Sequence, residues 1–355
     1  KQDRLPLRFN VTGSSADSSL IGNALERGVG YLDSRVHFLS GLEVVLGTGE
    51  VIRTGFGHIE GARTTHLYRP GVGPSLDALF AQGSFGIVTA AGVELLPQPE
   101  AETAVIARIE REEELPALID VLADLRRRGL ISGVAHVGNR ERSWITLAPL
   151  VAEQMIASGR CAPQQARDVA EHILRAEGFG PWSAVAAIFG PRAGHRARCC
   201  EVRSVLRRVA RVTMLNSATL ARAERLLGFA ARWSDRVARQ LALLRAVKPL
   251  YGLSEGIPTN DTLPAVDWPL GGLPQRSRDP DQGSAGLLYC LPILPADGEA
   301  VADAVASVRR IFRAHGFEAA ITVNLLDDRS LEGVISLAFR RDDPAEAERA
   351  QRAVR

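Results

Sequence analysis

A change of pattern at Pro97-Gln98-Pro99 limits how this chain can fold more than any other feature. Each proline lacks a backbone N–H and has a fixed φ, so the pair interrupts helix and sheet alike. Before it the chain reads as short β-branched runs among glycines and serines. After it apolar residues recur at helical spacing. The break predicts two domains, residues 1–98 and 99–355, and 355 residues are enough for both.

In the first part, Leu42–Leu46 and Glu50–Thr54 read as strands joined by a turn at Gly47-Thr48-Gly49. Leu76–Phe80 reads as a helical turn, with further strands at Phe85–Thr89 and Gly92–Leu96. In the second part, Ala104–Glu110 is a strand. A helix over 112–128 follows, with Leu115, Leu118, Ile119, Leu122 and Leu125 on one stripe. Helices are predicted over 164–176, 192–209, 218–233 and 235–247, with strands at 133–137 and 183–189. Strand 286–294, helix 299–315 and strands 320–326 and 334–339 close the pattern. This is an α+β layer, one sheet with helices on one face. Gly252–Gln282, rich in Pro, Gly and Asp, reads as a long connection.

Composition removes several function classes. The chain carries 43 basic and 41 acidic residues, a net +2 that gives no general attraction to nucleic acid or an anionic membrane. Only Lys1 and Lys248 are lysines. No apolar run reaches the ~18 residues of a membrane span. Cys161, Cys199, Cys200 and Cys290 form no C-x-x-C pair, and the histidines form no H-E-x-x-H, so no metal site is expected. Free thiols suit a reducing cytoplasm.

The segment from Val11 to Tyr31 is the informative one. Hydroxyls at Ser14, Ser15, Ser18 and Ser19 precede Gly22-Asn23, and Gly28 and Gly30 follow. Such a loop can serve as a serine-rich turn into a helix. It can also bring main-chain N–H groups and an amide close to a phosphate or a carbonyl-bearing ring. Gly28-x-Gly30 is not a dinucleotide fingerprint, since no third glycine follows at the required offset.

The run Ile21-Gly22-Asn23-Ala24-Leu25-Glu26-Arg27-Gly28-Val29-Gly30-Tyr31 resembles the vanillyl-alcohol oxidase and 4-cresol dehydrogenase (p-cresol methylhydroxylase) flavoproteins. The likeness continues through Gly41–Leu46, Arg53-Thr54-Gly55, Gly71-x-Gly73-Pro74-x-Leu76-Asp77-x-Leu79-Phe80 and Gln82–Thr89. It runs on more loosely through Gly256-Ile257-Pro258-Thr259 and Gly286–Pro292 to Phe339. The resemblance implies the second part of a PCMH-type FAD-binding domain, followed by a ferredoxin-like α+β substrate domain that caps the flavin. It implies FAD held by Ser18, Ser19, Gly22 and Asn23, and by Gly83, Ser84, Gly86, Ile87 and Val88 through their backbone. Tyr31 is expected on the substrate side. The implied reaction is hydride transfer from a substrate C–H to the flavin, with oxygen or a cytochrome as electron acceptor. An aromatic small-molecule substrate and a homodimer are further expectations.

Four departures from the family pattern stand out. The family's first FAD subdomain and its C-terminal Tyr-Arg pair have no counterpart, so a fragment of a flavoprotein is expected. The position that carries the covalent flavin link in several members is Leu287, which has no nucleophile, and non-covalent FAD follows. Tyr289 lies two residues on, on the same strand face; it is a pocket-lining aromatic or, in a shifted register, a tyrosyl link. The family's Thr-Pro-Tyr after Tyr31 is replaced by Leu32-Asp33-Ser34-Arg35, which argues against a simple phenol as substrate. An FAD-dependent D-2-hydroxy-acid oxidase and a non-catalytic flavin-fold remnant remain alternatives.

Overall fold

The computed structural model describes residues 5–272 and 283–355. The chain divides into two compact units, residues 1–98 with 253–258 and residues 99–252 with 259–355.

The first unit opens with β1 (Leu7–Arg8), α1 (Leu20–Leu25), β2 (Leu39–Leu46) and β3 (Val51–Arg53). It closes with β4 (Gly86–Val93) and β5 (Leu96–Pro97). Strands β3, β2 and β4 form an antiparallel sheet in that order, while β1 and β5 make a separate pair. Leu39, Leu42 and Val44 from β2 pack with Ala24 of α1 and with Phe80. The two strands expected at 85–89 and 92–96 are mostly one continuous strand, β4, and Asp77–Phe80 is a 3-10 turn. Gly256 at φ +78° fits against Phe9, whose carbonyl would lie 2.8 Å from a Cβ there.

The second unit begins with β6 (Ala101–Arg108), α2 (Leu115–Arg127), β7 (Ser132–Asn139), α3 (Arg140–Ala157) and α4 (Ala166–Ala176). Then come β8 (Trp182–Gly190), α5 (His195–Leu206), β9 (Arg211–Leu215), α6 (Ser217–Ala230), α7 (Asp235–Ser254) and α8 (Pro264–Asp267). It ends with β10 (Ala285–Cys290), β11 (Ile293–Pro295), α9 (Gly298–Ala314), β12 (Ala320–Leu325), β13 (Ser330–Arg340) and α10 (Pro344–Val354). Its eight strands run in the order β10-β13-β12-β7-β8-β6-β9, with β11 also on β13. Every pair is antiparallel.

Alternation along the strands gives the sheet two different faces. Leu331, Ile335, Leu337 and Phe339 of β13 join the main core with α2, α5, α9 and α10. The predicted stripe of α2 lies in that core: Leu118 and Leu125 are wholly buried. Helices α3, α4 and α7 close a second core around Ala148, Leu150, Leu174 and Trp268. One face is therefore covered as expected, while the other carries helices of its own towards the β6 end, where Leu220 and Tyr251 pack on Ala104.

Helix α3 breaks the expected pattern most. Its 18 residues run through Pro149, which removes the N–H that would bond the Ile145 carbonyl. Likewise α7 continues past Val247 through Pro249. Of the expected connection 252–282, residues 264–270 are helical turns, and residues 273–282 lie outside the described part.

Candidate cofactor and substrate sites

In the first unit, the serine-rich segment spends its hydroxyls on itself. Ser19 Oγ accepts from Gly22 N at 3.0 Å and caps α1. Ser18 Oγ donates to the Ser15 carbonyl at 2.7 Å and lies 3.0 Å from Ser14 Oγ. Both expected ligand donors are thus braces of the turn. The glycines also differ in role from a simple close approach to a ligand. A Cβ on Gly28 would lie 2.3 Å from Asn23 Oδ1, and one on Gly30 would lie 2.2 Å from Asn10 Oδ1. Each glycine makes room for an asparagine of the same unit.

Those asparagines hold the loop. Asn10, 2% exposed, donates to the Asp33 carbonyl at 2.8 Å and accepts from Leu32 N at 3.0 Å. Asn23 Oδ1 accepts from Arg35 Nη1 at 2.9 Å. Tyr31 is half-buried, with its N–H on the Val11 carbonyl at 3.1 Å. Arg69 spans the next stretch through bonds to the Leu39 and Val36 carbonyls. Sequence reasoning missed Asn10, Arg35 and Arg69, because an isolated polar residue carries no periodic signal.

The two expected cofactor segments meet at the end of α1, where Gln82 N donates to the Leu25 carbonyl at 2.8 Å. Gly83 is needed there, since a Cβ would strike the Leu79 carbonyl at 2.1 Å. Gly86 likewise clears Val44 and Val45 of β2. Ser84 and Ile87 are exposed, while the Val88 side chain packs into the core. As β4 is an edge strand, one side of its backbone is outside the three-stranded ladder.

The second unit contains a concavity of about 950 Å³. Leu287, Ala338, Ser336 and Ala320 contribute to it from the sheet, and Trp144, Phe179 and Phe317 add aromatic surface. Leu287 pairs with Ala338 and Tyr289 with Ser336, so the predicted same-face relation of Leu287 and Tyr289 is present. Tyr289 is 53% exposed because the concavity is open to water. Enough protein surrounds its phenol for desolvation to push the pKa up, against the opposing charge of Arg142.

Arg142 stands in the first turn of α3, capped by Asn139 Oδ1 on Arg142 N at 2.9 Å. With Arg140 and Arg349 it lines the concavity, and none of the three has an ion-pair partner among the described residues. Arg175 is paired with Glu171 at 3.2 Å. Sequence reading overlooked α3, although Asn139 before Arg-Glu-Arg is a recognisable helix start.

Further along the same sheet face, His136 Nδ1 lies 2.7 Å from Asn324 Oδ1, and Asn324 Nδ2 donates to Glu332 Oε2 at 3.4 Å. An amide oxygen only accepts, so Nδ1 of His136 carries the proton and Nε2 holds a lone pair. Burial lowers the His136 pKa to about 4 and raises that of Glu332. Among the described residues no cluster of three His, Cys, Asp or Glu could hold a metal. None of the described helices is long and apolar enough to cross a membrane.

The fold is the one seen in the solved structures of 4-ethylphenol oxidase and p-cresol methylhydroxylase. The resemblance to the vanillyl-alcohol oxidase and 4-cresol dehydrogenase flavoproteins read from the sequence is borne out. The chain is 31% identical over 97% of its length to the 1'-carboxy-chondrochloren decarboxylase of Chondromyces crocatus, covering 63% of that protein. It is 24% identical over 99% of its length to the 4-cresol dehydrogenase [hydroxylating] flavoprotein subunit of Pseudomonas putida, covering 60%.

Among solved structures, 4-ethylphenol oxidase from Gulosibacter chungangensis matches with a TM-score of 0.74 at 23% identity, over 98% of this chain and 61% of that one. p-Cresol methylhydroxylase matches with a TM-score of 0.74 at 22% identity, over 99% and 61%. The chain thus spans about three fifths of the curated relatives it matches. No protein-family model matches it.

Proposed function

We propose that the chain works as an FAD-dependent oxidoreductase on an aromatic substrate. The observation that carries this reading is the braced turn from Ser14 to Tyr31, joined to the start of β4 by the bond from Gln82 N to the Leu25 carbonyl. The donor set suits a dinucleotide: the Asn23 amide, the exposed Gly22 and the exposed residues Gly83 to Phe85 before β4. Ser18, Ser19 and Val88 serve by shaping that surface. FAD, when bound, supplies two-electron oxidation of a substrate C–H bond. Tyr31 is assigned to the substrate side, and oxygen or a cytochrome to reoxidation.

Leu287 offers no atom for a covalent link, so the cofactor is held by non-covalent contacts alone. In the second unit, aromatic walls with Arg140, Arg142 and Arg349, none of them in an ion pair among the described residues although Glu141, Glu318 and Glu346 share the lining, suit an aromatic compound bearing an acidic group. The likeness to a decarboxylase of a carboxylated compound, and the loss of the family's Thr-Pro-Tyr, favour a carboxylate over a plain phenol.

The test is the visible spectrum of the full-length gene product, followed by anaerobic titration with p-alkylphenols, aryl carboxylic acids and D-2-hydroxy acids. Bleaching of the flavin band by one of the aromatic series is expected. A colourless protein that cannot be reconstituted with FAD refutes the reading, and bleaching by D-2-hydroxy acids alone replaces the substrate class.

A further inference from the structure

Arg35 falls in the stretch where the sequence leaves the family pattern, and the structure gives it an unusual setting. The residue is 6% exposed. Its guanidinium carbon lies 5.4 Å from the centre of the Phe9 ring, and its Nη1 donates to Asn23 Oδ1 at 2.9 Å. Among the described residues no carboxylate pairs with it. Asp33, two residues earlier, is engaged by His37 Nδ1 at 3.2 Å. Burial lowers the Arg35 pKa, yet a guanidinium keeps its proton in a protein. Burying a cation without a counter-charge is costly; the Asn23 bond and the Phe9 ring offset part of that cost, and a nearby anion would offset more.

The same contact fixes the neighbouring amide. A guanidinium has donors only, so Asn23 must turn its oxygen towards Arg35 and its NH2 away from it. Gly28 leaves the room for this orientation. Asn23 is half-buried, and its NH2 lies beside Gly28, 2.4 Å from where a Cβ would stand.

We infer that Arg35 is a positioning residue for the cofactor: it locks the Asn23 carboxamide with the NH2 outward and sets a buried positive charge behind it, so that the loop receives an anionic oxygen of the FAD diphosphate. The inference rests on the FAD reading above and adds a residue that the family resemblance does not supply.

Asn23→Asp separates positioning from a structural role. The new carboxylate pairs with Arg35 and preserves the fold, but it turns an oxygen towards the ligand where a donor stood. We expect the apo full-length variant to melt at or above the wild-type temperature. Its Kd for FAD, read by flavin fluorescence on binding, should rise about tenfold or more, with a parallel loss for ADP. Arg35→Met should weaken both ligands as well. Wild-type affinity for FAD in Asn23→Asp overturns the inference, and loss for FAD with ADP unaffected overturns its assignment to the diphosphate. A wild-type protein that binds no FAD instead defeats the cofactor reading itself.

Discussion

Asn10 fills the space that a side chain on Gly30 would need, with its Oδ1 2.2 Å from where a Cβ would stand. From there it bonds the Asp33 carbonyl and Leu32 N. Gly30→Ala should therefore expel the amide and leave buried main-chain groups unmatched, at a cost of about 2–4 kcal/mol. Asn10→Ala should cost about 1–3 kcal/mol on the same grounds. The double variant should be less unstable than the sum of the two, since the clash disappears with the amide. Urea unfolding of the four proteins checks this, and strict additivity would refute it.

Release of the cofactor tests the reading of Leu287. Denaturing the full-length protein in acid should leave the flavin in the supernatant, with none in the protein band. Fluorescence that stays with the denatured polypeptide would show a covalent link and restore Tyr289 as its candidate site.

Arg142 and Tyr289 are coupled across the concavity, the arginine charge opposing the desolvation that raises the phenol pKa. Arg142→Ala should raise that pKa further. An alkaline ultraviolet titration, with Tyr289→Phe to assign the signal, reads the change. A fall, or no movement, would show that the charge does not reach the phenol.

Much of this arrangement was readable in the residues, for physical reasons. The stripe from Leu115 to Leu125 and the alternation in 320–326 and 334–339 are periodic, and periodicity survives without a structure. Helix α3 was missed because Pro149 interrupts its pattern while tertiary packing of Ala148, Leu150 and Val151 sustains it. In the sequence, the glycines of the Val11–Tyr31 segment read as close approaches to a ligand. Only the folded loop reveals that Gly28 and Gly30 yield to Asn23 and Asn10. The pairing of Asn23 with Arg35 depends on a turn whose path no local signal encodes.

His136 predicts an acid limb of stability. Desolvation, its largest influence, holds the folded pKa at about 4 against an ordinary 6.5, opposed in part by the bond to Asn324. The unfolded chain therefore binds the proton first, and stability falls as pH drops from 6.5 towards 4. His37 acts in the other sense. The bond to Asp33 raises its folded pKa, so its contribution is complete in acid and fades as pH rises through that value. Since His37 is largely exposed, its share is small. Melting temperatures of His136→Gln should be flatter than wild type across the acid range, and an unchanged slope would show that His136 does not set that limb.

Strand β13 sends Leu331, Ile335, Leu337 and Phe339 into the core and turns Glu332, Ser336 and Ala338 to the opposite face. Core positions and lining positions are thereby written in alternate letters of one word. Every second position can be respelled while the interleaved letters keep the sheet intact, so the lining of the concavity can drift along this strand without a detour through instability.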